Sequence, residues 1–374
     1  MNTENRNNSL KDEITVLSLC DGMSCGHIAL EQEGIKVGKY FAAEIKDIGI
    51  KVTKENYPDT IHIGDVNKIT YKDGVLHTEV GDFKTDIDIV MFGSPCQTFS
   101  IACITERRIG LDDDEKSGLF KQCYRILKEV NPKYFFMENV ASMKKDDKDF
   151  ISELMGVEPY LINADIVSPA LRKRYYWTNI KPENEIEKVD ISLNDILTSG
   201  WSNREKARCL AVIDSRPNST PIKMFHRYYS TGFTTLIFKD EQHYKKCVDE
   251  YERLSGGKRK ITAKDLDGYT GNVFDGVRYM NQDELEKCQC VPSGYTKCLT
   301  RNEAADVLGD GWTVDVIAYI FSFLKREFNS NFILLPDPLA FSSIGNTHIV
   351  LAENSEGTNW PKLLLFLNVI GIIV

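Results

Sequence analysis

The feature that most constrains this chain is a series of short apolar runs in its first half, each ending in acidic, amide or glycine residues. Ile14 to Leu19 is one such run; it stops at Asp21-Gly22, and His27 to Gln32 then carries helix formers until Gly34. Tyr40-Phe41-Ala42-Ala43-Glu44 repeats the pattern ahead of a helix that runs through Asn56 and is closed by Pro58. Ile61 to Asp65, Asp88 to Gly93 and Tyr134 to Asn139 follow suit, with apolar residues at helical spacing from Gly118 to Val130. Strands with few polar alternates are buried on both faces, and strand–helix alternation supplies the helices that cover them. The pattern therefore predicts an α/β fold on a largely parallel sheet. Asp165 to Val167 and Tyr175 to Thr178 are expected to add a hairpin at its end.

Beyond about Lys181 the pattern loosens into short aromatic and β-branched pieces such as Phe233 to Phe238, and helical spacing returns from Ala304 to Glu327. The expected division is a polar segment over 1–13, the α/β domain over 14–195, a small irregular domain over 196–277, a return segment over 278–327 and a tail over 328–374. The chain's 374 residues accommodate one large and one smaller domain, and 27% charged with 42% hydrophobic residues is ordinary globular composition. The apolar run Leu363 to Val374 is too short to span a bilayer, so a soluble, cytoplasmic protein is expected, with a monomer favoured. Ten cysteines over this length are not disulfide density, and Cys20, Cys123 and Cys209 are expected to pack as small hydrophobes. Cys288, Cys290 and Cys298 lack paired metal-ligand spacing and a nearby His, so no metal is expected.

The net charge of −9 disfavours a nucleic-acid partner only if it is evenly spread. From Gly200 to Ile261 the chain carries 13 Lys and Arg against 7 Asp and Glu. An acidic body with one basic segment suits a protein that grips DNA on a single face, and a solvated mixed-charge surface would account for the same surplus.

In an open parallel sheet, ligands sit beyond the carboxyl ends of the strands. Asp21 to Gly26, Glu44, Asp65, Gly93 to Gln97 and Glu138-Asn139 all fall at such ends, which points to one composite site. An acid ending the second strand is placed to accept both hydroxyls of a ribose, and the first turn is Gly-x3-Gly rather than a dinucleotide Gly-x-Gly-x2-Gly. Adenosine without a pyrophosphate fits this better. Cys96 follows Pro95 in a strand-end turn, where the N-terminus of a following helix would lower the thiol pKa; a buried inert thiol is the alternative.

Together these residues resemble the cytosine-C5 DNA methyltransferase family, from about Thr15 to Ile180 and again from about Val277 to Leu324. Leu19 to Gly26 is similar to its cofactor loop, Gly93-Ser94-Pro95-Cys96-Gln97-Thr98-Phe99-Ser100 to its nucleophile loop, Glu138-Asn139-Val140 to its acid motif and Arg172-Lys173-Arg174 to its paired-arginine motif. The wording from Val167 to Trp177 and from Gly309 to Val314 is most similar to the de novo subgroup and its phage and bacterial relatives. Ala170 replaces the Gln of most bacterial members and Asp310 replaces the usual Asn of the last motif.

The resemblance implies a Rossmann-like S-adenosylmethionine-dependent sheet with a target-recognition domain over 196–277. It implies methyl transfer to C5 of a cytosine flipped out of double-stranded DNA, through a covalent adduct of Cys96 at C6. Glu138 would stabilise charge at N3, and Arg174, supported by Arg172, would hold the ring. Asp21, Gly22, Met23, Glu44, Ile45, Asp65, Val66, Gly93, Pro95, Leu119 and Trp312 would surround S-adenosylmethionine. The loop Ser100 to Gly110 would close over the base while its Arg107 and Arg108 touch the DNA backbone, and the Arg, Lys and aromatic side chains of 196–277 would read the major groove. A tRNA cytosine methyltransferase and a catalytically silent DNA-binding relative are the competing readings.

Overall fold

The computed structural model describes residues 13–100, 110–112, 117–210, 216, 220–256 and 262–329. The expectations for the first twelve residues, for Arg107 and Arg108 in the loop after Ser100, and for the tail beyond 329 lie outside the described residues.

A seven-stranded sheet forms the centre. Its strands are β1 (Ile14–Leu19), β2 (Val37–Ala43), β3 (Ile61–His62), β7 (Ile89–Phe92), β8 (Tyr134–Val140), β9 (Tyr160–Asn163) and β10 (Lys173–Thr178), ordered β3-β2-β1-β7-β8-β10-β9. The first five in that order run parallel, and β10 is antiparallel to both β8 and β9. The chain moves outward from β1 to β3 and then returns to place β7 on the other side of β1. That reversal leaves a crevice above the ends of β1 and β7, where neighbouring connections diverge.

Neighbouring strand residues go to opposite faces. Val16, Met91 and Phe136 join one apolar core, while Leu17, Phe92 and Met137 join another. Helices α1 (Cys25–Gln32) and α10 (Val314–Asn329) cover the first face, and α3 (Phe120–Val130) and α4 (Lys145–Met155) the second. Phe136 meets Trp312 and Phe321 edge-on, with ring centroids 5.1 and 5.2 Å apart, so the return segment completes a core begun at the N-terminus.

One expectation is corrected. The strand preceding β10 is Tyr160–Asn163, whereas Ala164–Ile166 is a 3-10 turn closed by the Val167 and Ser168 amides on the Ala164 carbonyl. The local β-branched composition loses there to the need to reverse the chain. The irregular segment 196–277 also carries two helices that the sequence reading did not foresee: α6 (Pro221–Thr231) and α7 (Glu241–Ser255), which join a core of Phe225, Phe238, Tyr251 and Phe274. Its aromatic residues hid a helical period, because aromatic side chains also favour strands. A three-stranded antiparallel sheet between β3 and β7, comprising β4 (Thr70–Lys72), β5 (Val75–Thr78) and β6 (Gly81–Lys84), escaped the sequence reading. Its Asp73-Gly74 turn, with both residues at positive φ, was the available signal.

Candidate active site

The crevice holds a cavity of about 290 Å³. Cys96, Glu138, Arg172 and Arg174 line it together with Asp21, Gly22, Glu44, Ile45, Asp65, Val66, Gly93, Pro95, Leu119 and Trp312. Met23 does not: its side chain is fully buried beneath the first turn, against Gly311, and its carbonyl accepts a hydrogen bond from Tyr295 Oη at 2.7 Å.

Each wall follows from local structure. After β1, Gly22 takes φ +65, a conformation that carries no steric cost for glycine, and its amide donates to Glu44 Oε2 at 2.7 Å. Helix α2 (Asp47–Asn56) packs its Gly49 so closely that a Cβ there would lie 2.2 Å from the Gly22 carbonyl oxygen. Glu44 Oε1 accepts from the Ile45 and Lys46 amides, each at 2.8 Å, so the carboxylate is fixed at the end of β2. Burial nevertheless raises its pKa against those bonds. Asp65 Oδ1 accepts from the amide and the side chain of Asn67. Ile45 leaves 69% of its surface uncovered at the rim. Burial likewise raises the pKa of Asp21, whose carboxylate is gripped by Tyr40 Oη at 2.7 Å and Ser24 Oγ at 2.5 Å.

The Cys96 loop leaves β7 at Gly93, where a Cβ would come within 2.7 Å of Trp312 Nε1. Buried Asn139 ties this loop to the end of β8: its Nδ2 donates to the Ser94 carbonyl at 3.2 Å and to Ser94 Oγ at 3.3 Å. Cys96 is followed by a tight turn, its carbonyl accepting from the Phe99 and Ser100 amides. The segment beyond Ser100, where the expected helix would continue, lies outside the described residues. Burial pushes the Cys96 thiol up; the charge of Arg174 pulls it down, and Glu138 adds to the rise.

Tyr176 pairs with Glu138 across β8 and β10, so Arg174, two residues away, projects on the same face. Arg174 Nε lies 2.7 Å from Glu138 Oε1. The Arg172 guanidinium instead clamps the return segment, donating to the carbonyls of Gly309 at 3.1 Å and Gly311 at 2.6 Å. Arg-x-Arg spacing thus brings both arginines to the cavity wall, with Arg174 paired to Glu138 and Arg172 also clamping the return segment.

Two features escaped the sequence reading. Cys209, expected to pack as a small hydrophobe, has its sulfur 3.6 Å from Arg172 Nη1 and 3.7 Å from Arg174 Nη2. Asp310, the departure in the last motif, pairs with Lys46 Nζ at 2.5 Å, which closes the rim between α2 and the return segment. Neither pairing has a local sequence signal, because each joins residues distant along the chain.

The model of the C-5 cytosine-specific DNA methylase family matches residues 14–326. Among curated proteins, the type II methyltransferase M.NlaIV of Neisseria lactamica is 32% identical over 213 residues, covering 50% of this chain and 47% of that protein. The orphan methyltransferase M.SPRI of Bacillus phage SPR is 29% identical over 270 residues, covering 68% and 55%. The chain thus spans about half the length of the curated relatives it matches. Among solved structures, an Entamoeba histolytica methyltransferase, EhMeth, superposes with a TM-score of 0.56 at 17% identity over 86% of this chain and 99% of its own. A Spodoptera frugiperda DNMT2 mutant gives 0.55 at 17% identity, over 84% and 100%; both likenesses speak to the fold. With the match running through the ordered motifs that line the cavity, the chain belongs to the C-5 cytosine-specific DNA methylase family.

Proposed function

We propose that the chain methylates C5 of a cytosine in double-stranded DNA, with S-adenosylmethionine as methyl donor, through a transient bond between Cys96 Sγ and C6 of a flipped-out base. The observation that carries this reading is the convergence of Cys96, Glu138 and Arg174 on one cavity that also holds the strand-end carboxylates Glu44 and Asp65. The donor's features find complements there: a fixed acid for ribose hydroxyls in Glu44, an uncovered apolar side chain for a base in Ile45, and the Asp21–Gly22 turn beside them. When bound, S-adenosylmethionine supplies an electrophilic methyl group, to which the activated C5 becomes joined.

Cytosine C5 is too electron-poor to react unaided, so the Cys96 thiolate first adds at C6 and turns the ring into an enamine. The displaced electron density reaches N3 and O2. Glu138 meets it at N3 as proton donor or hydrogen-bond partner, and Arg174 balances it as a fixed cation. Removal of the C5 proton then lets the Cys96 thiolate leave and restores the aromatic ring. A stacked base cannot reach the cavity, so the target must leave the duplex.

Residues 196–277 are the proposed target-recognition domain. Its buried Phe225, Phe238, Tyr251 and Phe274 are committed to its own core, so reading falls to exposed side chains such as Arg208, Tyr229 and Phe233. Among the described residues no single helix is long and apolar enough to cross a membrane, and the proposed setting is the cytoplasm of a bacterium or a phage host.

The test is incubation of duplex DNA and of tRNA with labelled donor, alongside bisulfite sequencing of DNA from expressing cells. Label in duplex DNA at a defined sequence, lost on Cys96→Ser, is the expected result. Label confined to tRNA, or parental rates in the Cys96→Ser protein, would overturn the reading.

A further inference from the structure

The pairing that delivers Cys209 to the cavity wall is specific. Ala207 donates its amide to the Pro169 carbonyl at 2.8 Å and accepts from the Leu171 amide at 2.9 Å, so the segment from 207 to 209 runs alongside the approach to Arg172. Arg208 is held from the other side, its amide donating to Thr235 Oγ1 at 2.8 Å. Cys209 is thereby carried to a point where one sulfur accepts from two guanidiniums, Arg172 Nη1 at 3.6 Å and Arg174 Nη2 at 3.7 Å.

Arg174 has three groups on its guanidinium: the Lys173 carbonyl on Nη1, Glu138 on Nε and Cys209 on Nη2. Arg172 is buried, and its Nε has no hydrogen-bond partner. Around this cluster the carboxylate partner is Glu138, paired with Arg174. One carboxylate faces two guanidiniums, and a sulfur able to carry negative charge sits between them.

We propose that Cys209 is a positioning residue: its sulfur, seated between Arg172 and Arg174, fixes the Arg174 guanidinium with Nε on Glu138 and links that pair to the arginine that clamps the return segment. The inference rests on the proposed methyl transfer for its kinetic consequence, but not for its geometry. Burial pushes the Cys209 thiol up, yet the two guanidiniums outweigh it and leave the group more acidic than an ordinary thiol. This is the reverse of Cys96, where burial prevails. The two thiols flank the same arginine with opposite electrostatic outcomes.

The experiment compares the parent with Cys209→Val, which keeps the volume and removes the acceptor, and Cys209→Asp, which restores an anionic acceptor. A hydrogen bond to a charged group is worth enough to expect about a tenfold fall in kcat for Cys209→Val, with KM for DNA and thermal stability held, and substantial recovery in Cys209→Asp. A Cys209→Val protein with parental kcat, or a Cys209→Asp protein no better than it, would overturn the inference. A second measurement needs no turnover: the pH dependence of Cys209 alkylation by iodoacetamide, followed by peptide mass spectrometry, in the parent and in Arg174→Gln. The thiolate displaces iodide to give a thioether, so the midpoint reports the thiol's acidity. It is expected to move up in Arg174→Gln, and an unmoved midpoint would overturn the contact. A parent inert on DNA would refute the proposed function instead, with the alkylation arm still deciding the placement of Cys209.

Discussion

Arg174 Nε and Glu138 Oε1 stand 2.7 Å apart across the antiparallel pair of β8 and β10, on the wall of the cavity that holds Cys96. The pair is enclosed on both sides, with 12% and 9% of the two side chains exposed, so solvent screens little of its field.

Arg174→Gln is therefore expected to act twice. Loss of a fixed cation from such a site costs about 100- to 1,000-fold in kcat. Because Arg174 pulls the Cys96 thiol pKa down against burial, its removal raises that pKa further. The thiolate is the reactive form, so the rate of the parent climbs with pH toward a midpoint above that of an ordinary thiol, and in Arg174→Gln this limb moves higher still. A pH profile of kcat for both proteins checks the direction.

Glu138→Gln keeps the shape and removes both the charge and the exchangeable acid. A fall of about 100- to 10,000-fold in methyl transfer is expected. With DNA carrying 5-fluorocytosine at the target, fluorine replaces the C5 proton that a base would remove, so the Cys96 adduct persists. A denaturation-resistant protein–DNA band is expected for the parent, none for Cys96→Ser, and a much slower one for Glu138→Gln.

Gly93→Ala tests the frame. The added methyl would sit 2.7 Å from Trp312 Nε1, on a ring packed edge-on against Phe136, so the ring must shift to admit it. Overpacking of this kind costs about 1–3 kcal/mol. A lowered melting temperature and an altered tryptophan emission spectrum are the expected readouts.

Stability in acid is expected to depend on Glu284. This buried carboxylate accepts from Arg278 Nη1 and Nη2, both at 2.8 Å, and from the Thr198 and Asn281 amides. Burial raises its pKa, but those donors outweigh burial and leave it below the ordinary value of 4.5. A carboxyl with a depressed folded pKa contributes stability that is full above 4.5 and is lost as pH falls through the lowered value. Glu284→Gln should cost about 3 kcal/mol near neutrality and flatten the acid limb, measured by thermal unfolding between neutral pH and pH 3.

Much of the site could be read from residue order, because strand ends converge by the topology of a parallel sheet. Glu44, Asp65, Cys96 and Glu138 are far apart in sequence, yet each closes an apolar run, and the crevice between β1 and β7 gathers them. Met23 misled because neighbours in a turn point in different directions, and this one points into the core. The sequence by itself determined the strand–helix alternation, the residues at the strand ends and the chemistry they can perform, since those rest on local apolar patterning and side-chain type. Only the tertiary structure decided the burial that raises the Cys96 thiol, the division of labour between Arg172 and Arg174, and the seat of Cys209 between them. Those outcomes depend on which distant segments share a dielectric environment and a hydrogen bond, and no local pattern encodes that.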